Sequence, residues 1–523
     1  MENHEESDKD QDSSQGNYKR LKGIMARPSK DQILEGNIVL VMFKLGWPIM
    51  VASMFRTLYN LADTLWLGRL PGDASVFAVS AASQAWSVIF IIMSLEIGMG
   101  VAALALISQY TGSKRFDKAT QYAGQMYFLA IVLSLVLATI GYIATPHLLR
   151  ALTAGAGEDA HLLTEYGTQY LRIIFIGMPF MFMFFVFMFI LRGWGDNVTP
   201  MKIMITTSLL NLIVDPFLIL GSGHVFNVWS YTITIPTFFG YQIPQMGIRG
   251  AAIATVSIQG LAAAISLYLM FTGKVGLKVK PHHLKPDMSK IKKFFKVGIP
   301  ASLGRLGSAA GFLVLWAIVY RLPEAANVGA AYGAGNKVLN IMFLVIGGVC
   351  MAMATMVGQA LGADMKERAE QVAKTGMMAM IILMTVIAVG VMLSSRHIIA
   401  FIIPGQDEVI SSGARFLLIY SISIPFFGIY EVVSHLMGGS GHTVQQMVLD
   451  LTRIWAFRIT IVFILAIVMG MNATGFWIGM SASNIIAAGV ALFLYSKGWW
   501  KEKIIEDGAP SGIGVEQGKP DDI

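Results

Sequence analysis

One cysteine, Cys350, stands among 523 residues. A lone thiol excludes an internal disulfide and a cysteine-ligated metal cluster. Charge is almost as scarce: Asp, Glu, Lys and Arg make up 14% of the chain, against 55% apolar residues and a mean hydropathy of +0.62. So little charge does not clothe a soluble particle. The net charge of +7 lies largely in short connecting segments, where it orients a membrane protein, and no nucleic-acid partner is expected. His147, His161, His224, His397, His435 and His442 show neither metal-ligand spacing nor a nucleophile–base pairing. No enzyme and no organic cofactor are expected. The first ~30 residues are polar and lack the apolar core of a signal peptide.

What the chain has is apolar runs, many longer than the ~18 residues that cross a bilayer. About twelve spans are predicted, at 37–68, 75–110, 118–145, 161–193, 199–221, 245–272, 294–321, 327–362, 367–395, 407–438, 443–470 and 472–497. Loops after the even-numbered spans hold Lys114, Arg115, Lys118, Lys202, Lys366 and Arg368, and the 273–296 segment is richest in lysine. The positive-inside rule therefore places both termini in the cytoplasm. The N-terminal 1–30 and the tail after Lys501 are predicted to be disordered, with a short amphipathic helix near Asp31–Ile38 on the membrane surface. The 222–244 loop alternates β-branched and aromatic residues and suits a short hairpin.

The sequence repeats itself. Gly46-Trp47-Pro48 recurs as Gly298-Ile299-Pro300, and Arg69-Leu70-Pro71 as Arg321-Leu322-Pro323. Gln109 and Gly112 match Gln359 and Gly362, and Pro179-Phe180 matches Pro425-Phe426. Matches in one order with slowly drifting offset point to an all-α polytopic membrane protein, its twelve transmembrane helices forming two pseudo-symmetric six-helix lobes. The expected division is 1–36, an N-lobe at 37–272, a basic linker at 273–293, a C-lobe at 294–497 and a tail at 498–523. Two lobes in one chain make a monomer sufficient.

The lobes differ in their acids. Asp63, in LYNLADTLWLGRL, falls opposite Leu315, and Asp215, in NLIVDPFLIL, opposite Ile461. An intramembrane carboxylate is costly and functional by default. Asn211 and Asp215 share a helical face, as do Tyr59, Asn60 and Asp63. With Thr255 and the Ala251 carbonyl they make an oxygen-rich set suited to a shared proton or to a hard cation such as sodium. For sodium, the ligands would come from Asp63, Asp215, Asn211 and Thr255. Pro48 and Pro216 each remove a helical hydrogen bond and are candidate bends.

Other intramembrane charges are harder to place. Arg56 and Glu96 are expected to pair with each other or, with Asn60 and Met204, to line a substrate cavity. Arg305, Glu431, His435, Arg453 and Arg458 suggest a second polar cluster, with snorkelling the alternative for the last two. The fourth span, rich in Met and Phe, suits either packing or varied apolar ligands.

LGWPIM, LYNLADTLWLGRL, ALISQYTG, LRGWGDNVTP, NLIVDPFLI, MGIRGAAIATV, AYGAGNKV and MVGQALGA together resemble the multidrug and toxic compound extrusion (MATE) transporters, prokaryotic DinF-like branch. The resemblance implies an inner-membrane antiporter. It would export small amphipathic, often cationic compounds against H+ or Na+ entry, with membrane lipids around it. It also implies that Asp63 and Asp215 bind the coupling ion, that Tyr59, Asn211, Ala251 and Thr255 surround it, and that Pro48 is the bending position of the first helix. Ser308-Ala309-Ala310 replaces an acid found in other branches, and Arg56 and Glu96 depart from the uncharged residues expected there. A flippase for a lipid or lipid-linked saccharide is the alternative.

Overall fold

A computed structural model describes residues 26–153, 157–228, 231–237 and 240–506. Eleven long apolar helices and one bent pair give twelve membrane crossings among these residues. A short helix α1 (Lys30–Glu35), capped by Ser29 and Gln32, leads into α2 (Ile38–Leu67), α3 (Ala74–Gly112), α4 (Phe116–Thr153), α5 (Ala160–Trp194) and α6 (Val198–Leu220). Strands β1 (Val225–Val228) and β2 (Tyr231–Thr234) form the hairpin expected in the long loop. Next come α7 (Gly247–Thr272), α8 (Met288–Val319), α9 (Ala325–Gly362) and α10 (Lys366–Ile402). The pair α11 (Asp407–Ser421) and α12 (Ile424–Ser440) is followed by α13 (Thr443–Val468) and α14 (Asn472–Ser496). Twelve crossings leave both described chain ends on one face.

The expected tenth span, one helix over 407–438, is corrected. It breaks by 56° between α11 and α12. Pro425, in the first turn of α12, supplies no amide hydrogen and disfavours helical geometry at the residue before it. The eleventh span is also irregular, with wide π-turns at Thr452–Ile459 and Ile464–Val468.

Pseudo-symmetry appears in the backbone itself. Left-handed residues recur at matching repeat positions: Gly72 (φ 62) and Glu324 (φ 55), Lys114 (φ 56) and Asp364 (φ 60), Gly195 (φ 88) and Gly441 (φ 87). Two large apolar cores divide the helices, one built mainly from α3–α7 and the other from α9–α14. Each bundle lends its leading helix to the other core. Val41, Met42 and Leu45 of α2 pack in the second, and Ile291, Phe294 and Val297 of α8 in the first.

This exchange lies near the face that holds the chain ends, and there the bundles are sealed. Gly46 of α2 meets the Gly348 backbone of α9, and Gly98 of α3 meets Ser302 and Gly298 of α8. A Cβ at Gly112 would lie 1.9 Å from the Gln359 carbonyl oxygen, and one at Gly362 would lie 1.9 Å from that of Gln109. Only glycine permits such an approach. Gln109 Nε2 donates to the Ser440 carbonyl and Gln359 Nε2 to that of Gly193, each at 3.0 Å. On the opposite half, Leu61 and Leu65 of α2 and Leu313 of α8 are exposed.

The terminal segments differ from expectation. Ile33 of α1 is 1% exposed, inserted among second-bundle residues and against Gly195. It docks on protein and does not simply float on lipid. Lys30 lies 3.6 and 3.4 Å from the ring centroids of Phe116 and Trp194. Residues 502–506, expected to be disordered, are docked too. Ile504 packs on Gly441, its amide donates to Gln109 Oε1 at 2.9 Å, and Lys503 pairs with Asp364 at 2.8 Å. Gly195 and Gly441 are repeat equivalents, so the two ends plug equivalent places. The expected disorder of residues 1–25 and of the tail beyond 506 lies outside the described residues.

Candidate functional site

The ion-site candidates meet in the first bundle, toward the face away from the chain ends. Asp63 is four residues before the end of α2 and Asp215 five before the end of α6. α2 also brings Tyr59, α6 brings Asn211, and α7 brings Thr255. The Tyr59 hydroxyl donates to Thr255 Oγ1 at 2.9 Å. Asn211 Nδ2 donates to Asp215 Oδ1 at 2.9 Å, and both residues are fully buried. The Asp63 and Asp215 carboxyls lie within hydrogen-bonding reach of each other, with Tyr59 beside Asp63. Two carboxyls in contact cannot both stay charged without a proton or a cation between them.

Asp63 Oδ1, Asn211 Oδ1 and Asp215 Oδ2 are buried and receive no hydrogen bond from protein. Buried acceptors are ordinarily satisfied, so this cluster of orphaned oxygens is an exception that calls for an occupant. Oxygen donors suit a proton or a hard cation. Among the described residues no group of three or more His, Cys, Asp and Glu is placed to hold a metal ion.

The remaining candidates fall into distinct places. Ala251 is 2% exposed and packs with Leu67, Leu70, Ala78 and Ile219 beneath the acids. Asn60 is half-buried on α2. Met204 is buried in the first apolar core. Pro48 and Pro216 lie inside α2 and α6, which run on without a break. Pro216 nonetheless leaves the Leu212 carbonyl without its helical donor, one turn from Asp215.

Arg56 and Glu96 interact electrostatically but form no ion pair within 4.0 Å among the described residues. Glu96 is buried against Met99, Met126, Leu129 and Phe182, in a cavity of about 10 Å³. The Phe-rich run of α5 is mostly core: Phe182, Phe184, Phe187 and Phe189 are buried, Met181, Met183 and Phe185 are half-buried, and Phe180 is exposed.

The second bundle holds a polar network that the sequence only partly disclosed. Asp450, overlooked there, accepts from the Tyr430 hydroxyl and from Ser434 Oγ (3.0 Å), while Gln446 Nε2 donates to Ser434 Oγ. Glu431 lies 3.5 Å from His435 Nδ1, and Arg305 faces both Asp450 and Glu431 electrostatically. Snorkelling is ruled out for Arg453 and Arg458, which are 6% and 2% exposed. Arg453 stacks 4.5 Å from the Tyr430 ring centroid, and Arg458 donates to Ser483 Oγ at 3.0 Å and to Asn484. Two acids among arginines are internally balanced, unlike Asp63 and Asp215. Tyr170 of α5 was also missed, although it lies within electrostatic reach of both first-bundle acids. A tyrosine inside the apolar TQYLRII run was the available signal.

The fold agrees with the comparisons. The MatE family profile matches residues 48–217 and 300–464, one segment in each bundle. A probable multidrug resistance protein YoeA of Bacillus subtilis (strain 168) is 27% identical over 468 residues, covering 88% of this chain and 93% of that protein. A probable multidrug resistance protein NorM of Thermotoga maritima is 24% identical over 464 residues, covering 89% and 93%. The outward-facing structure of a multidrug resistance MATE family transporter superposes with a TM-score of 0.78 at 21% identity, covering 91% of this chain and all of that one. With the profile spanning more than half of its length, the chain belongs to the MatE family, the multidrug and toxic compound extrusion transporters.

Proposed function

We propose that this transporter exports small amphipathic organic compounds in exchange for H+ or Na+, and that Asp63 and Asp215 bind the coupling ion. The observation that carries the reading is the approach of half-buried Asp63 to buried Asp215, with one oxygen of each, and that of Asn211, buried and without a partner. Asn211 holds the Asp215 carboxyl, the bonded pair Tyr59–Thr255 lies beside Asp63, and Asn211 and Thr255 add oxygens if the ion is sodium. In this reading the chain sits in the inner membrane with both termini cytoplasmic, and the sealed half is the cytoplasmic one. The lobes are 37–272 and 294–497, joined by 273–293, and one chain suffices.

In the proposed cycle, an ion entering from outside fills the acid site and favours the inward-facing arrangement. Loss of the ion to the cytoplasm restores the charge and readies the site for substrate. Unpaired helical carbonyls beside Pro48 and Pro216 give α2 and α6 points at which to bend. The chain supplies binding and movement, with no bond-making chemistry. A lipid or lipid-linked saccharide flippase is the second reading, favoured by exposed Arg56 in mid-helix.

The test is dye export from proteoliposomes with pH and sodium gradients imposed separately, using wild type, Asp63→Asn and Asp215→Asn. The reading requires export with at least one gradient and its loss in both variants. Export at wild-type rate in either variant refutes it. Gradient-independent flipping of a labelled lipid, with no dye export, favours the second reading.

A further inference from the structure

Ion coupling leaves a group of charges in the first bundle without a task. Arg56 precedes Asp63 by seven residues, which at ~100° per residue puts both, with Asn60 between them, on one face of α2. That face looks into the first bundle. The charged groups that reach Arg56 electrostatically are Glu96 of α3 and Arg192 of α5. Yet the Arg56 side chain is exposed. An exposed residue with charged neighbours from two other helices of its own bundle lines an open cavity and not a lipid-facing surface.

The charges do not balance. Among the described residues neither guanidinium has a hydrogen-bond acceptor. Arg192 lies 4.9 Å from the Phe189 ring centroid. The one carboxylate close enough to compensate is Glu96, which is 6% exposed with Oε1 buried and without a donor. Its carboxyl abuts an apolar wall. With Glu96 ionised the group carries one surplus positive charge, and with it protonated two. Unpaired guanidinium in a membrane interior is costly and is retained for binding. Its planar fork of donors fits phosphate and carboxylate. Beside Arg192, half-buried Phe185 packs on the core residue Phe189, with ring centroids 4.8 Å apart, and offers an aromatic surface.

We infer that Arg56 and Arg192 form an anion-recognition site in the first-bundle cavity, about two turns from the acid pair, and that the exported compound is an amphiphile bearing a phosphate or carboxylate. The inference rests on the export reading for direction of transport, but the site itself does not depend on it. Cation and anion then occupy separate stations along α2, the ion at Asp63 and the head group of the substrate at Arg56.

Two dyes sharing the xanthene ring system separate the charge classes: anionic fluorescein and cationic rhodamine 123. Binding to the purified full chain is read by fluorescence polarisation, and export by proteoliposome assay, for wild type, Arg56→Gln, Arg192→Gln and Arg56→Lys. Melting temperature verifies folding. Fluorescein is expected to bind wild type about tenfold or more tighter than rhodamine 123, and each Gln variant to lose about tenfold or more of that affinity. Rhodamine 123 should not weaken in the Gln variants, and Arg56→Lys should retain part of the fluorescein affinity. Equal fluorescein binding in wild type and both Gln variants overturns the inference, as does a folded wild type that binds no fluorescein. Competition by hexyl phosphate assigns the head group to a soluble compound, and competition by short-chain phosphatidylglycerol alone assigns it to a lipid. Arginine-dependent binding without export under any gradient upholds the site and refutes the export reading. Rhodamine export without fluorescein binding does the reverse.

Discussion

Replacing Gly112 by alanine should open the seal between the bundles. The new Cβ lies 1.9 Å from the Gln359 carbonyl oxygen, about 1.5 Å short of an ordinary 3.4 Å contact. The obstacle is backbone, so α3 and α9 must separate by roughly that much. Separation stretches the buried bonds from Gln109 to Ser440 and from Gln359 to Gly193, both 3.0 Å long. A buried group left unsatisfied costs about 1–3 kcal/mol, so the pair together is worth about 3 kcal/mol or more. At 1.4 kcal/mol per decade, the sealed state loses about a hundredfold in population. The assay is maleimide labelling of Ser108→Cys in a Cys350→Ser background, since Ser108 is fully buried against Gly358. Gly112→Ala should raise the labelling rate by one to two decades. Gly347→Ala, whose Cβ meets nothing within 4 Å, should leave it unchanged. Equal labelling in Gly112→Ala and its parent would refute the reasoning.

Further outcomes follow from the same structure. Truncation after Gly498 removes the Ile504 plug, its bond to Gln109 and the Lys503–Asp364 pair. It should raise Ser108→Cys labelling, though by less than Gly112→Ala does. The Lys293 ammonium holds the Glu506 carboxyl below the usual carboxylate range. Its contribution to tail docking is therefore fully present above about pH 4.5 and lost as pH falls through its depressed value. Limited proteolysis of the tail should be flat between pH 8 and 5 and accelerate in stronger acid, whereas acceleration between pH 8 and 6 would contradict it. Arg458→Met strands Ser483 and Asn484 and should lower the melting temperature by the equivalent of about 2–4 kcal/mol, since buried polar partners left unpaired carry that penalty. An unchanged melting temperature would show that those bonds are not made.

The helices were legible because each apolar run is long and is ended by charge or glycine. Leading and trailing limits therefore agree closely for α2, α6 and α9. The break before α12 was not, because Ile422 and Ser423 continue the helical pattern and only Pro425 marks the change. Docking of the chain ends escaped for a different reason. Ile33-Leu34 and Ile504-Ile505 are short apolar pairs in polar segments, and the glycine sockets of Ile33 and Ile504 at 195 and 441 become visible only in three dimensions. Asp63 and Asp215 were legible through their cost in a membrane and their aliphatic repeat partners. Asp450, two turns into α13, was not singled out, because its partners Tyr430 and Ser434 lie on the preceding helix. Arg458 depends on Ser483 and Asn484 one helix later, and no periodicity predicts that.

The proposed coupling requires that substrate and ion exclude one another at Asp63 and Asp215. The direct measurement is ion release from the purified protein when an exported dye is added. Proton release is read in weakly buffered detergent solution, and displacement of radioactive sodium is read in parallel. Wild type should release one of the two ions, and Asp63→Asn and Asp215→Asn should release neither while remaining folded. Dye binding that releases no ion from wild type, or releases it undiminished from Asp215→Asn, would contradict the account.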